Sequence, residues 1–252
     1  MQKEIGGNMR DYLIRGLSDD ISIRIFIATT TKMTEEARKI HNTSPAVTTA
    51  MGKFLTMAAM MGNNLKSDKD RLTIQLKADG PVGELVAVAD GKGNIKAFPG
   101  NPEATAGKNH KLIMEELPDG TQASSLKSEY SMQALIGEEG TLTVIKDLGL
   151  KEPYIGKIPL ADGSITGDFM AYFSVSEQTP TLIDLGTALD AEGKVIAAGG
   201  YMIQVLPGAS EAEISAIETN LGNGLDLLDL LKSEKTPEEI AELIMKGLTY
   251  KL

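Results

Sequence analysis

Residues 142–210 read LTVIKDLGLKEPYIGKIPLADGSITGDFMAYFSVSEQTPTLIDLGTALDAEGKVIAAGGYMIQVLPGAS. Within them TALD and KVIAAGGYMIQVL flank Ala191-Glu192-Gly193, the pattern of two strands joined by a turn. After Pro207 the character changes to short amphipathic helices. Ser210-Glu211-Ala212-Glu213 is a capping box that opens a helix with Ile214, Ile217 and Leu221 on one side, and Gly222 and Gly224 stop it. LDLLDLLK follows. Thr236-Pro237-Glu238-Glu239 is a second capping box, with proline at the first helical position, and it launches Ile240, Leu243, Ile244 and Leu248. Helices this short are marginal alone in water, so their apolar faces must dock on one another or on what precedes them.

Upstream, DYLIRGL and ISIRIFIATTT read as extended runs, the second alternating Ile21, Ile23, Ile25 and Ile27 against Ser22, Arg24 and Phe26. Period two argues a half-buried strand pair. From Ser44 the signals change to an N-cap serine with Pro45 at the first helical position. Val47, Met51, Phe54, Leu55, Ala58, Met61 and Leu65 then recur at helical spacing up to Gly62-Asn63-Asn64. Between Arg71 and Pro102 strands return: LTIQLKA, VGELVAVA, a turn at Asp90-Gly91-Lys92-Gly93, and NIKAF. The hairpin at 187–205 echoes this one in architecture. Residues 103–140 are polar and mixed, with KLIMEEL and SLKSEYSMQALI as apolar islands, and their pattern does not decide a structure. The fold class expected is mixed α/β (α+β): a core of β-sheets with packed helices over 9–208, followed by a small helical linker domain over 209–252.

Composition narrows the function. The chain has 252 residues, 42% of them apolar and 4% aromatic, with no tryptophan and 12 methionines, so the core is aliphatic with methionine filling irregular gaps. A net charge of −10 repels phosphate backbones and anionic lipid, which disfavours nucleic acid and membrane surfaces as partners. No segment offers the roughly 18 consecutive apolar residues of a membrane span, and a cytoplasmic location is expected. The absence of cysteine removes disulfides, thiolate zinc sites and cysteine nucleophiles from this chain. His41 and His110 are its two histidines, too few to suggest a transition-metal site without carboxylate help.

Catalytic motifs fare poorly. Gly208-Ala209-Ser210-Glu211-Ala212 lacks the final glycine of a nucleophile elbow, and no histidine follows it. Ser210 reads as a helix cap, with a serine hydrolase as the rival. Ser124-Ser125-Leu126-Lys127 matches S-x-x-K, but neither S-D-N nor K-T-G accompanies it. Asp90-Gly91-Lys92-Gly93 reads as a hairpin turn rather than a phosphate cradle. Met51, Met57, Met60 and Met61, on and around one helix, are core residues or a plastic surface for irregular apolar partners.

Blocks in order across most of the chain resemble the redox-regulated bacterial 33 kDa chaperonin family: DYLIRGL at Asp11, EEARKIHNTSPAVTTAMGKFLTMAAMMG at Glu35, DRLTIQLKADGPVGELVAVADGKGNIKAFPGNP at Asp70, TVIKDLGLKEPY at Thr143, YFSVSEQTP at Tyr172 and AAGGYMIQVLPGA at Ala197. The resemblance implies an α/β core, often dimeric, that holds unfolding proteins without ATP and is not an enzyme. It also implies a linker of short helices covering part of the core. Beyond the linker it implies a small zinc domain whose C-x-C and C-x-x-C cysteines oxidise, release zinc and unfold. This chain departs from the pattern in having no cysteine, in residues 1–8 before Met9, and in a longer stretch over 103–140. The expectation is therefore a holdase core plus linker without the zinc redox-switch domain, so no cofactor in this chain. Its expected partners are unfolded clients and a second copy in a homodimer. The candidate client-binding or shielding surface comprises Phe54, Met57, Met60, Met61, Ile214, Ile217, Leu221, Leu228, Ile240, Leu243 and Ile244. A passive dimerisation scaffold is the remaining alternative.

Overall fold

The computed structural model describes residues 10–106, 113–116, 122–125 and 129–252, with side chains described for 10–106 and 132–252. In chain order the elements are β1 (Tyr12–Ser18), β2 (Ile23–Thr29), α1 (Thr31–His41), α2 (Pro45–Gly62), β3 (Arg71–Ala78), β4 (Glu84–Asp90), β5 (Ile95–Pro99), β6 (Ile113–Glu116), β7 (Gln122–Ser125) and α3 (Glu129–Ile136). They continue with β8 (Gly140–Asp147), β9 (Tyr154–Pro159), α4 (Thr166–Val175), β10 (Thr181–Asp190), β11 (Val195–Val205), α5 (Glu211–Gly222), α6 (Leu227–Lys232), α7 (Pro237–Ile244) and β12 (Tyr250–Lys251). Two antiparallel sheets form among these residues, one ordered β12-β1-β2-β11-β10-β7-β6 and the other β5-β4-β3-β8-β9. The expected mixed α/β architecture is the one observed.

Helix α2 joins the sheets. It packs against β2, β10 and β11 of the larger sheet and against β3, β4 and β5 of the smaller one. Its start follows the sequence signals: the Ser44 side chain accepts from the Val47 N–H and Pro45 takes the first helical position. Facing two sheets at once, it is buried almost all round rather than along one stripe, and Phe54, Met57 and Met60 are 0% exposed.

The hairpins β4–β5 and β10–β11 share one turn device. Asp90 Oδ1 accepts from the Lys92 and Asn94 N–H groups at 2.9 Å, and Asp190 Oδ1 from Glu192 and Lys194 at 3.1 and 2.8 Å. Gly93 and Gly193 supply the positive φ of 84° and 79° that each turn needs. The Asp90 carboxylate thus fills the turn that a phosphate would have to occupy.

Two expectations need correction. Strand β2 is not half-buried: Ile23, Ile25, Phe26 and Ile27 are all 0% exposed, because both faces of this strand are covered. Phe26 and Ala28 point into the core around α2, whereas the isoleucines point the other way, beneath the C-terminal helices. Ile21 lies outside the strand, with a φ of 63°, and is 62% exposed. The segment 209–252 is also not wholly helical. Tyr250 and Lys251 form β12, which pairs with Ser18 and Leu17 and so returns the chain to the edge of the core sheet.

Candidate functional site beneath the C-terminal helices

Strands β1, β2, β11 and β10 lie side by side, and strand alternation sends one set of side chains to the face away from α2. That face carries Ile23, Ile25 and Ile27 from β2, Tyr201 and Ile203 from β11, and Ala188 and Ala197 from the β10–β11 pair, all at most 5% exposed. The cover is α5–α7. Helix α6 packs on β10 and β11, α7 packs on β1 and β2, and α5 packs on α7. The helices bury Ile217, Leu227, Leu231, Ile240, Ala241, Ile244 and Met245 in this second core. Each large side chain buried this way contributes on the order of 1.5–3 kcal/mol before entropy is counted.

Local chemistry sets up the helices. Ser210 Oγ accepts from the Glu213 N–H and the Glu213 carboxylate accepts from the Ser210 N–H at 2.8 Å, a complete capping box. Thr236 and Glu239 repeat it at α7, where Thr236 N–H donates to Glu239 Oε2 at 2.8 Å. The Asp226 side chain caps α6. The Ser210 hydroxyl also donates to Glu213 Oε2 at 2.7 Å, so its polar contacts are those of a cap.

Polar ties between cover and core gather at Tyr12 and at the β1–β2 turn. Ser22 Oγ donates to Glu213 Oε1 at 2.6 Å, and Tyr12 Oη donates to Glu238 Oε2 at 2.6 Å. Burial, with the Glu238 carboxylate beside it, pushes the Tyr12 phenol up to about 12. Asp19 N–H donates to the Thr249 carbonyl at 3.1 Å, and Lys251 Nζ lies 3.3 Å from Asp19 Oδ1. Burial raises the Tyr201 phenol above its ordinary range, consistent with a ring enclosed in apolar surroundings.

The structure distributes the predicted residues over two places. Ile217, Ile240 and Ile244 lie at the interface between cover and sheet, with Leu221 and Leu228 half-buried beside them. Ile214 is half-buried, and Leu243 is 42% exposed on the outer side of α7. Phe54, Met57, Met60 and Met61 lie in the other core, between the two sheets. Sequence reasoning missed Leu227, Leu231, Ala241 and Met245, and it missed the isoleucines of β2 as the floor of the site. Their alternation was visible, but not which of two buried faces it served. Ser124 and Ser125 fall on β7, whereas Leu126, Lys127 and His110 lie outside the described residues, as do residues 1–8.

No group of three or more His, Cys, Asp or Glu among the described residues is placed to hold an ion. The zinc implied by the resemblance does not fit this chain, which has no cysteine to bind it.

Comparison with known proteins gives a consistent match. A family model described as Hsp33 protein matches residues 11–252. The chain is 40% identical over 244 residues to the 33 kDa chaperonin of Clostridioides difficile strain 630, covering 97% of this chain and 78% of that protein. It is 38% identical over 243 residues to the 33 kDa chaperonin of Desulforamulus reducens, covering 96% and 76%. The crystal structure of the 33 kDa chaperonin from Thermotoga maritima superposes with a TM-score of 0.79 at 28% identity, covering 95% of this chain and 77% of that one.

Proposed function

This chain belongs to the Hsp33 family of chaperones, and on that premise we propose that it is an ATP-independent holdase whose client surface is the apolar face now covered by α5–α7. One observation carries the reading: an apolar sheet face of the core is sealed by three short helices whose buried side toward it is apolar. Apolar area of this kind marks a binding surface when exposed. Local opening of a low-stability segment is the physical route to exposing it. Clients are unfolding polypeptides, the working state is a homodimer and the location is the cytoplasm. The net charge of −10 disfavours nucleic acid and anionic membranes as partners. No helix among the described residues is long and apolar enough to cross a membrane. No catalytic role is assigned to any residue.

Without cysteine the chain has no thiol switch, so exposure of the face is governed by how firmly the helices sit. The test is suppression of thermal aggregation of an unfolding client, without nucleotide, in oxidant and in reductant. Equal suppression in both supports the reading. No suppression in either favours the passive dimerisation scaffold.

A further inference from the structure

A pocket of about 220 Å³ opens between the two sheets. The larger sheet supplies Arg24 and Gln204, which stand opposite one another in β2 and β11. An apolar wall of Met61, Leu65, Leu72, Leu148 and Phe173 draws on α2, the smaller sheet and α4. Lys146 and Glu177 add the remaining charges of the lining.

Those charges do not balance. Glu177 Oε1 accepts from Lys146 Nζ at 2.5 Å and from Tyr172 Oη at 2.6 Å, so this carboxylate and this ammonium answer one another. Arg24, half-buried, has no such partner. Its Nε and Nη2 both donate to one neutral oxygen, Gln204 Oε1, at 2.9 and 2.6 Å. No carboxylate pairs with Arg24 or with Arg15 among the described residues. The guanidinium presents its donors in a planar fork, so the Nη1–Nη2 edge is left for a second acceptor. Burial and the neighbouring Arg15 push the pKa of Arg24 below its ordinary value, so its surroundings oppose the charge rather than compensate it. The Arg24 and Arg15 guanidinium carbons lie 5.6 and 5.9 Å from the centroid of one ring, Phe26. Two cations thus gather at one ring in a chain of net charge −10. Gln204 is 3% exposed, so the group that aims Arg24 is itself held in place.

A guanidinium edge of this kind takes a carboxylate through two parallel hydrogen bonds. The apolar wall beside it favours an anion that carries an apolar group over a bare inorganic one. The volume is below the roughly 300 Å³ at which pockets for drug-sized ligands begin, which limits the apolar part to about one side chain. We propose that this pocket binds an α-carboxylate bearing an apolar side chain, with the carboxylate on the Nη1–Nη2 edge of Arg24 and the side chain against Leu72 and Phe173. Two sources present that group, the C-terminal residue of a polypeptide and a free apolar amino acid. The pocket is on the α2 side of the larger sheet, away from α5–α7, and the inference does not rest on the holdase reading.

The test uses the whole chain with N-acetyl-leucine, free leucine, N-acetyl-leucinamide and N-acetyl-serine, read by calorimetry and by the arginine Nε–H resonances. At least one of the two leucine acids is expected to bind saturably and to shift the Arg24 Nε–H resonance. The amide, which lacks the charge, and the serine compound, which lacks the apolar group, are each expected to bind at least about tenfold more weakly. Arg24→Gln should weaken binding of the tighter acid at least about tenfold, and Arg15→Gln, at an exposed position, about two- to threefold. Free leucine binding as tightly as N-acetyl-leucine, or more tightly, identifies the amino acid as the source, and weaker binding identifies a polypeptide end. Equal binding of N-acetyl-leucine and its amide by the parent chain, no saturable binding of either acid, or undiminished binding by folded Arg24→Gln would overturn the site.

Discussion

Gly186 and Gly199 stand directly opposite one another in β10 and β11, and Leu231 of α6 lies over the gap that their missing side chains leave. A Cβ on Gly199 would fall 2.9 Å from Leu231 Cδ2 and 2.5 Å from the Ala28 carbonyl oxygen. A Cβ on Gly186 would meet Leu228 Cδ1 at 3.0 Å and nothing of the backbone within 4 Å among its nearest atoms. The two positions therefore respond differently. Gly186→Ala displaces only flexible side chains of the cover and should increase hydrophobic-dye binding with little change in melting temperature. Gly199→Ala presses on a backbone oxygen of β2 and should cost about 1–3 kcal/mol of global stability, read by denaturant unfolding.

Ser210→Ala tests the role of the capping box. Losing an N-cap costs roughly 0.5–2 kcal/mol, so the variant should lose stability in the C-terminal helices with no loss of any hydrolytic activity. Loss of an esterase activity with the fold intact would instead support the serine hydrolase.

The buried methionines give a contrasting result. Met57 and Met60 are 0% exposed between the sheets, so Met57→Ala or Met60→Ala should destabilise the chain by about 2–5 kcal/mol through cavity formation. Isothermal unfolding measures this, and the variants should gain no dye binding below their transition.

Glu35 predicts an acid dependence. Its carboxylate takes Arg38 Nε at 2.7 Å and the Val195 N–H at 3.0 Å, joining α1 to the start of β11. The Arg38 guanidinium is the main cause that holds its pKa at about 2 rather than 4.5. A carboxylate depressed on folding stabilises the protein above its unfolded pKa, so this contribution is complete above about pH 4.5 and fades as pH falls toward 2. Chemical-denaturation midpoints measured across that window should fall less steeply for Glu35→Gln than for the parent.

Much of the fold was legible because its signals are local. The two capping boxes, the Ser44-Pro45 start and the Asp-Gly turns each fix a boundary within a few residues, and each forms as the sequence indicates. Helix α1 was not legible for the converse reason. Its N-cap Thr30 makes no side-chain cap bond; Asp11, distant in sequence, accepts from the Lys32 and Met33 N–H groups at 3.1 and 2.6 Å. The site was half legible. Periodicity identified Ile217, Ile240 and Ile244 as apolar, but the destination of Ile23, Ile25 and Ile27 depended on which layer covers each face of the sheet. A period of two carries no such information once both faces are buried. The return of Tyr250 and Lys251 to β1 is a pairing of distant residues with no local signature.

That return also determines how the cover is best opened. Deleting 209–252 removes β12 from the core sheet together with the helices, so a single substitution is the cleaner probe. Leu231→Asp places a carboxylate over the Gly186–Gly199 gap, where Leu231 is now 2% exposed, and burying that charge is unfavourable enough to lift α6. The decisive measurement is thermal-aggregation suppression by Leu231→Asp and parent chains at equal concentration, with dye binding recorded in parallel. The account predicts that both rise together in the variant. Dye binding that rises with no gain in suppression would contradict the claim that the covered face is where clients bind.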